Sequence, residues 1–464
     1  CGESFLHKPF RDSNEGSWIF LGRWRIHEDG LHTPQNNTKI AAEGRITCQW
    51  QYLGFPPAIA GKKVRRRCGR GHRNGHRASQ DGGTETVKRL PFGPTSSNLI
   101  FNASHQSRSP KRSGHSISSA ESANASHQFV LDGTRLACAE MLLGGVTCFN
   151  DMYFFPEAAA SAASELGMRA MLGITALEFP TPYASDADDY LDKGLAVREQ
   201  WLADPLIGFC LAPHAPYTVA DASFERIVTL AAQLNVPIHC HVNETRHEIA
   251  ESLRQHGVTP LLRLRRLGLL GPGFIGVHAI HLEDGDFELL AATGCSVAHC
   301  PTSNLKLASG FAPVVRMRQL GINVGLGTDG AASNNRLDMF GEMRLAALLA
   351  KGSSGDASAL PAREVLRMAT LNGAIALGLG HEIGSITPGK AADLVAVSLK
   401  GLNATPCYDP VSHLVHVAGR ECVTHVWVAG KCCVDHKKLS WSGQNDLESA
   451  ITLWQNRLEV RSES

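Results

Sequence analysis

The segment Pro237-Ile238-His239-Cys240-His241-Val242-Asn243-Glu244-Thr245 decides the fold class, because it is typical of a buried strand that ends in a polar turn. Apolar residues lead into this segment, and a helical pattern follows it over residues 246–255. A (β/α)8 barrel carries its functional side chains where each strand opens into the following loop. The segment therefore predicts one βα unit of such a barrel, with His241 and Glu244 at its chemical end.

Length and composition are those of an ordinary globular protein. The chain has 464 residues, 43% of them hydrophobic, and a net charge of +1, which suits a barrel plus a smaller domain. Its 13 cysteines include no CxxC pair, so we expect no disulfide framework and a reducing, cytoplasmic location. The sequence contains no long apolar run and no charged-then-apolar leader, so we expect no membrane partner and no secretory signal.

Residues 1–127 differ in character from the rest of the chain. They carry 19 Lys and Arg against 9 Asp and Glu, whereas residues 128–464 carry 26 against 35. A basic run at residues 65–73 and nine Ser within residues 102–127 interrupt any apolar periodicity, which favours loop or disorder. A nucleic-acid-binding arm is the alternative. Because no folded module or aromatic platform accompanies the basic run, we expect no nucleic-acid partner.

From Gln128 onward, strand-like and helix-like patterns alternate. Strands are predicted at the end of residues 144–151 and at residues 169–175, 207–212, 236–241, 274–278, 295–299 and 322–327. Helices are predicted at residues 129–143, 156–166, 186–202, 221–234 and 284–292. This alternation is typical of βα units around a parallel sheet, closed as a barrel. The count is seven strands, so the missing first unit is expected upstream of Gln128; a further short strand is predicted at residues 18–21.

The residues after the barrel strands predict a second, smaller domain. Helices are expected at residues 337–349 and 362–377, short strands at 392–397, 414–417 and 423–428, and a terminal helix at 446–458. Gly378 and Gly380 follow the second helix, as C-cap glycines do. We therefore divide the chain into four parts: an aberrant basic segment over 1–127, out of frame or disordered; a barrel over 128–380; β-sandwich strands over 381–440; and a C-terminal helix over 441–464.

Four polar features fall at the ends of predicted barrel strands: His214, the pair His241 and Glu244, His278, and Asp329. Imidazole and carboxylate groups are common ligands of divalent metals. Each of these residues alone could be structural. Together at one end of a barrel they indicate a metal-dependent hydrolase site.

Residues 128–435 resemble the amidohydrolase superfamily, and specifically its branch of 5-methylthioadenosine/S-adenosylhomocysteine deaminases and related chlorohydrolase-type enzymes. The motifs that carry the resemblance are NDMYF at residues 150–154, PHAPY at 213–217, HVNET at 241–245, AHCPTSN at 298–304 and GTDG at 327–330. Residues 384–394 are similar to the return of the family into its β-sandwich. The resemblance implies a (β/α)8 barrel with a small β-sandwich and suggests a homo-oligomer.

The resemblance also implies the reaction, which is hydrolytic deamination of an adenosine-type thioether nucleoside at one divalent metal. Zinc is expected, with iron or manganese as alternatives. His241 and Asp329 would be metal ligands, joined by two His from the first strand. Asp329 would accept the proton of the attacking water, and Glu244 would protonate the ring nitrogen. His278 would orient the attacking hydroxide and stabilise the tetrahedral intermediate.

The same resemblance assigns residues to substrate binding. His214 would face the sugar or purine, and Asn304 and His299 would shape the pocket; His299 could equally be a hydrogen-bonding residue behind it. We interpret His239 and His281 as structural, because we expect strand alternation or distance to turn them away from the site. We interpret Cys240 and Cys300 as buried packing residues, since no base is evidently paired with either.

The sequence departs from the family pattern in its first barrel unit. The family carries two ligands as a His-x-His pair on the first strand, but residues 1–130 contain no such pair. His105 and His115 lie near the expected position, in Ser- and Arg-rich surroundings unsuited to a buried strand. We interpret residues 87–119 as an out-of-frame tract, which a frameshifted gene, a decayed gene or a gene-model error would produce. We interpret Cys1, which is not Met, as a truncated, processed or misassigned start. Family-like sequence resumes near Ala120.

Two rival hypotheses remain open. One is another substrate of the same branch, such as guanine, cytosine or a triazine. The other is a catalytically inactive remnant, in which loss of two ligands collapses metal affinity and exposes the edges of the strands beside the missing one. Salt-dependent nucleic-acid binding by residues 1–127 would favour the second hypothesis.

We predict that the nucleotide sequence encoding residues 87–119, translated in its other two frames, contains an apolar strand with a His-x-His pair. The reason is the abrupt change of composition near Ala120. Sequencing the locus and translating all three frames is the measurement. If no frame contained the pair, the out-of-frame interpretation would be wrong.

Overall fold

The structure, a computed structural model, describes residues 19–20 and 125–462. Its main feature is a parallel sheet of seven strands in sequence order, each strand hydrogen-bonded to the next. After β1 (Ile19–Phe20), which belongs to a second sheet, these strands are β2 (Cys148–Asp151), β3 (Arg169–Ala176), β4 (Ile207–Pro213), β5 (Ile238–Val242), β6 (Phe274–His278), β7 (Ser296–His299) and β8 (Asn323–Leu326).

Helices connect the parallel strands and cover the sheet. Those before the end of β8 are α1 (His127–Leu143), α2 (Pro156–Leu166), α3 (Ala187–Trp201), α4 (Asp221–Leu234), α5 (Arg246–His256), α6 (Pro260–Arg266), α7 (Asp284–Thr293), α8 (Pro301–Lys306) and α9 (Val314–Gln319). Those after it are α10 (Ala331–Asn334), α11 (Met339–Ser354), α12 (Ala362–Arg367), a π-helical turn (Met368–Asn372), α13 (Gly373–Ala376), α14 (Pro410–His416) and α15 (Gln444–Ser462).

Local sequence explains where these elements begin and end. Every residue of β3, β5 and β6 is buried, as expected of parallel strands covered on both faces. Helices α3, α5 and α11 begin at Asp186, Thr245 and Asp338, whose side chains accept a backbone N–H of the first turn. Several helices end at a left-handed glycine, as α5 does at Gly257.

The predicted βα alternation is confirmed. All seven predicted barrel strands are present, and the missing first unit that we placed upstream of Gln128 lies outside the described residues. The helix predicted over residues 362–377 is continuous over Ala362–Ala376 but contains the π-helical turn. In that turn the Asn372 Nδ2 donates to the Val324 carbonyl of β8 at 2.9 Å, so a side chain satisfies a strand acceptor.

The second sheet has five antiparallel strands in the order β1, β9 (Leu394–Val397), β10 (Val423–Val428), β11 (Lys431–Asp435) and β12 (Lys438–Leu439). The short strand predicted at residues 18–21 is confirmed as β1, which pairs with β9. The second sheet packs in the same core as the parallel strands through the apolar residues Val397, Val423, Val426 and Val428.

Two predictions in this region need correction. The strand predicted at residues 414–417 is wrong, because these residues lie in and just after α14. Asp409 caps this helix by accepting the Val411 N–H at 3.0 Å, and Pro410 occupies its first position. The prediction also missed β11, which follows a tight turn at Ala429 and Gly430, both with positive φ.

A buried ion pair joins the parallel sheet to the second one. Arg169, the first residue of β3, is buried and donates from Nε to Asp393 at 3.1 Å and from Nη1 to Glu382 at 2.6 Å. Asp393 immediately precedes β9 and is 2% exposed. Removing one partner of such a pair leaves an uncompensated buried charge, so the pair fixes how the two sheets meet.

We predict that Gly194→Ala destabilises the protein by up to ~2 kcal/mol. A Cβ at Gly194 in α3 would lie 2.3 Å from Cγ2 of Ile174, a buried β3 residue that has no room to move. The gain in helix propensity is ~1 kcal/mol, and overpacking costs ~1–3 kcal/mol. Chemical denaturation measures the change. The control is Gly352→Ala in α11, where a Cβ would meet nothing within 4 Å. We expect this substitution to stabilise the protein by up to ~1 kcal/mol. Equal effects of both substitutions would contradict this packing.

Candidate active site

The predicted site residues lie at the carboxyl ends of the parallel strands. His214 directly follows β4, His241 lies in β5 and His278 is the last residue of β6. The parallel register pairs His241 with Val277 and Val242 with His278. His278 leaves the strand geometry with a φ of +70°, and its imidazole stacks with that of His241 at a centroid distance of 5.5 Å. Asp329 follows β8. The sheet therefore brings together side chains that are far apart in the sequence.

The imidazole of His241 is held so that one nitrogen points into the site. Its Nδ1 donates to the carbonyl of His214 at 2.8 Å, and the same carbonyl accepts the His241 backbone N–H at 3.1 Å. The proton of the neutral ring therefore sits on Nδ1, and Nε2 keeps a lone pair. This Nε2 is buried and has no hydrogen-bond partner among the described residues. Burial lowers the pKa of His241 well below its usual value, so the ring is neutral.

That arrangement fits a metal ligand. A ligating His typically donates its other ring N–H to a backbone carbonyl or carboxylate, which fixes the tautomer, and the buried, unpartnered Nε2 is the atom that would bind. Asp329 offers a carboxylate on β8's loop. Among the described residues, however, the centre does not assemble three His, Cys, Asp or Glu ligand atoms within 4.8 Å of one another. His241 and Asp329 therefore fit as two of the ligands of a metal site.

His278 is oriented by a buried amide. Its Nδ1 donates to Oδ1 of Asn304 at 2.8 Å, and both side chains are buried. The Nε2 of His278 then faces Oε2 of Glu244 at 3.8 Å. The other oxygen of Glu244 accepts from the Ser309 hydroxyl at 3.2 Å. An acid and an imidazole therefore face each other beside His241.

Asp329 is held by two donors in a strained backbone conformation. Its φ is +62°, in the left-handed region that few non-glycine residues adopt. One carboxylate oxygen accepts from the Ser303 hydroxyl and the other from the backbone N–H of Gly330. Burial raises the pKa of Asp329 to about 7, while nearby His278 and these hydrogen bonds oppose the rise. The carboxylate can therefore exchange a proton near neutral pH.

A cavity of about 450 Å³ extends from His299 and Asn304 towards α9 and α11. Nδ1 of His299 and Nδ2 of Asn304 are buried and have no hydrogen-bond partner among the described residues. The remaining walls mix apolar side chains such as Phe311, Val314 and Ala346 with the polar side chains of Arg316 and Gln319. The cavity thus has a mixed lining, as small-molecule sites do.

His214 closes the other side of the centre. Its ring lies 5.1 Å from that of His241. The Thr218 hydroxyl donates to the Ala215 carbonyl at 3.1 Å, so it must accept from Nδ1 of His214 at 3.0 Å. The ring is buried and held at a fixed angle.

The expected orientation of His239 is wrong. Its ring lies 6.1 Å from that of His241, on the same face of β5, because residues two apart on a strand share a face. Nδ1 of His239 accepts from Nδ2 of Asn150 at 2.8 Å, which ties β5 to β2. His281 instead lies beyond β6 and contacts the Ser309 carbonyl at 2.8 Å through Nε2.

The two cysteines beside the site are buried thiols. Burial raises the pKa values of Cys240 and Cys300 well above the usual range. Such thiols stay protonated and are poor nucleophiles. Their environment agrees with the interpretation of both as packing residues.

Two buried acids that the sequence reading missed hold the site loops. Glu248 of α5 accepts the backbone N–H groups of Asn243 and Glu244 at 2.9 and 2.8 Å, and burial raises its pKa to about 7. The pattern Thr245-x-x-Glu248 is a capping-box signature that could have identified it. Glu248 fixes the turn that carries Glu244.

Glu342 of α11 plays a similar part on the other side. It accepts the Thr302 N–H of α8 at 3.1 Å and Nδ2 of Asn334 at 2.7 Å. The same Nδ2 donates to the carbonyl of Thr328 at 2.6 Å. No local pattern marks Glu342, because its partners come from two other loops. It joins the loop that carries Asp329 to the helix that carries Asn304.

A family model described as the amidohydrolase family matches residues 97–433. The chain belongs to the amidohydrolase family. A 5-methylthioadenosine/S-adenosylhomocysteine deaminase of Saccharophagus degradans is 47% identical over 337 residues, which are 73% of this chain and 76% of the relative. The match begins at residue 97, within the tract over residues 87–119 that we interpreted as out of frame and upstream of Ala120, where we expected family-like sequence to resume.

Solved amidohydrolase structures share the fold. An adenosine deaminase from Xanthomonas campestris with bound zinc is 47% identical, with a TM-score of 0.73, covering 74% of this chain and 78% of that chain. An atrazine chlorohydrolase from Arthrobacter aurescens complexed with zinc is 25% identical, with a TM-score of 0.67, covering 71% and 78%. The expected family and barrel class are confirmed. Within the part of the amidohydrolase chain that the structure describes, no helix has the length and apolar character needed to cross a membrane.

We predict that Glu342→Gln changes the pH dependence of stability. Burial raises the pKa of Glu342 from 4.5 to about 7, so its stabilising contribution is complete below pH 4.5 and is lost as pH rises through 7. At about 1.4 kcal/mol per pKa unit, the variant should gain on the order of 3 kcal/mol relative to wild type over this range. Denaturant unfolding at several pH values measures it, with the exposed Glu288→Gln as control. Parallel pH profiles for Glu342→Gln and wild type would refute the prediction.

Proposed function

We propose that this chain is a metal-dependent hydrolytic deaminase of 5-methylthioadenosine and S-adenosylhomocysteine, which releases the amino group of the adenine ring as ammonia. The observation that carries the proposal is the buried lone pair on Nε2 of His241, beside the facing pair Glu244 and His278. Hydrolytic deamination requires a metal ligand next to an acid and an imidazole. The similarity to deaminases supports the substrate class.

His241 and Asp329 would hold the metal. The zinc-containing relative supports zinc, with iron or manganese as alternatives. When bound, the metal supplies Lewis acidity, which lowers the pKa of a water molecule towards neutrality. Because the sequence has no His-x-His pair within residues 1–130, the remaining ligands are not evident.

Asp329 is the residue that would take the proton of the attacking water. Burial raises the pKa of its carboxyl above the ordinary value, which makes the carboxylate a better proton acceptor. The Ser303 hydroxyl and the Gly330 N–H orient its carboxylate. Ser303 therefore acts as a positioning residue.

Glu244 would deliver a proton to the ring nitrogen, and His278 would orient the attacking oxygen and stabilise the tetrahedral intermediate. The Asn304 amide keeps the His278 proton on Nδ1, so that Nε2 presents a lone pair towards the reacting atoms. Glu244 is partly exposed at the mouth of the site, with Ser309 holding one oxygen. The acid can thus be reprotonated from solvent after each turnover.

The non-reacting parts of the nucleoside need a separate surface. His214 would face the sugar or purine, since its ring borders that of His241. The cavity beside Asn304, which includes Phe311 and Val314 in its lining, would receive the thioether end of the substrate. We further propose a homo-oligomeric, cytoplasmic enzyme without a nucleic-acid partner.

Two other functions remain as rivals. Similarity to an atrazine chlorohydrolase keeps a triazine substrate open. Guanine and cytosine are the other alternative substrates in this branch. A catalytically inactive remnant is favoured by the missing His-x-His pair. The deciding experiment, after zinc loading, is metal content together with ammonia release from 5-methylthioadenosine, S-adenosylhomocysteine, guanine and cytosine, and chloride release from atrazine. One bound metal with ammonia released from the two thioether nucleosides supports the proposal; no turnover of any compound supports the remnant.

We predict that Glu244→Gln lowers kcat for ammonia release by ~10²–10⁴-fold, because the amide cannot supply the proton. A coupled ammonia assay on the zinc-loaded chain measures the rate. The control is Ser309→Ala, which removes only one hydrogen bond to Glu244 and should cost no more than ~10-fold. A Glu244→Gln variant as active as Ser309→Ala would show that Glu244 is not the acid.

A further inference from the structure

Three side chains with metal-binding atoms meet on the second sheet, away from the strands that carry His241. Nε2 of His425 on β10 lies 3.2 Å from Oδ1 of Asp435, the last residue of β11. Nδ1 of His436 lies 2.7 Å from the same oxygen. The three ligand atoms lie within 4.8 Å of one another, which no other trio of His, Cys, Asp or Glu achieves within residues 125–457.

The hydrogen bonds around His425 determine where its proton sits. The Thr424 hydroxyl donates to the carbonyl of Ala396 at 3.1 Å. The same hydroxyl lies 3.1 Å from Nδ1 of His425, so it must accept there. The neutral ring therefore carries its proton on Nδ1 and a lone pair on Nε2. Nε2 faces a carboxylate oxygen at 3.2 Å, a contact that is bridged either by a proton on Nε2 or by a bound metal ion.

The cluster is rigid on one side and open on the other. The ring of His425 is parallel to that of Trp427, with an interplanar angle of 8° and centroids 5.5 Å apart. The Lys437 N–H donates to the Thr424 carbonyl at 2.8 Å, which ties the turn after β11 to β10. His425 is 16% exposed, whereas Asp435 and His436 are 63% and 69% exposed, so an ion can enter from solvent.

We propose that His425, Asp435 and His436 bind one divalent transition metal, with zinc as the best match, and that solvent completes its coordination. Two imidazoles and a carboxylate with an open position form a common zinc donor set. Imidazole ligands disfavour calcium and magnesium, which prefer oxygen. The hydrogen bond from Nδ1 of His425 to Thr424 supports a ligand role, since such bonds orient ligating rings. The metal would join β10 to the turn after β11 and stabilise the second sheet.

The test is zinc titration of the metal-free full chain against a chromogenic chelator, with wild type, His436→Ala and Asp435→Asn. We expect each variant to lose one equivalent of bound zinc, or to bind it at least ~10-fold more weakly, since even losing a ligand's supporting partner costs ~10–100-fold. The control is His256→Ala, an exposed His on α5, which should bind zinc like wild type. Identical zinc binding by all four proteins would overturn the proposal and leave a proton as the bridging cation.

Two further readouts separate this site from the proposed catalytic one. Excess zinc should raise the melting temperature of wild type more than that of His436→Ala, because only the folded wild type is stabilised by zinc bound at this second site. Ammonia release should be unchanged in His436→Ala, because His436 belongs to neither the proposed catalytic nor the substrate-binding residues. If Asp435→Asn fails to fold, the exposed turn residue His436 still provides the measurement. Equal zinc-induced melting shifts in wild type and His436→Ala would count against the site even if the catalytic proposal holds.

Discussion

Hydrogen bonding between neighbouring parallel strands is the constraint on which the site depends. A parallel ladder places the carboxyl ends of all its strands at one edge, so residues that follow different strands must meet there. The pairing of Val242 with His278 brings β5 and β6 to an end side by side, and the rings of His241 and His278 stack at this edge. A shift of β6 by one residue would turn His278 to the other face. Strand register is therefore the basis of the chemistry.

Burial of polar groups is the second constraint. The side chains of His241, His278 and Asp329 are buried, and each needs a partner that fixes its proton. The His214 carbonyl serves His241, the Asn304 amide serves His278, and Ser303 serves Asp329. Each of these pairs joins two different segments at the strand ends. The interactions that orient the site residues therefore also hold the strand ends together.

Two sheets share one core, and their junction depends on charge as well as apolar packing. The buried guanidinium of Arg169, the first residue of β3, donates hydrogen bonds to Asp393 and Glu382. Valines of β9 and β10 pack in the core of the parallel sheet. The proposed metal cluster at His425 lies on the second sheet, so it can stabilise that sheet without contributing a group to the proposed reaction.

The sequence by itself determined which elements form. Apolar alternation and the polar strand ends identified the barrel class and the residues His214, His241, Glu244, His278 and Asp329 before any contact was known. Those signals are local, because a strand or helix is encoded by its own periodicity. The helix at Pro410–His416 was mistaken for a strand because its short apolar run lacks a distinct period, although Asp409 and Pro410 marked its start.

Only the tertiary structure decided how these residues work together. It placed His239 on the same face as His241, paired His278 with Asn304, and revealed Glu342 between two loops. It also joined His425 to Asp435 across a hairpin whose second strand the sequence reading missed. The physical reason is that a proton's position and a ligand set depend on distances between segments remote in the chain. Those distances are fixed by strand register and core packing, which no single stretch of sequence encodes.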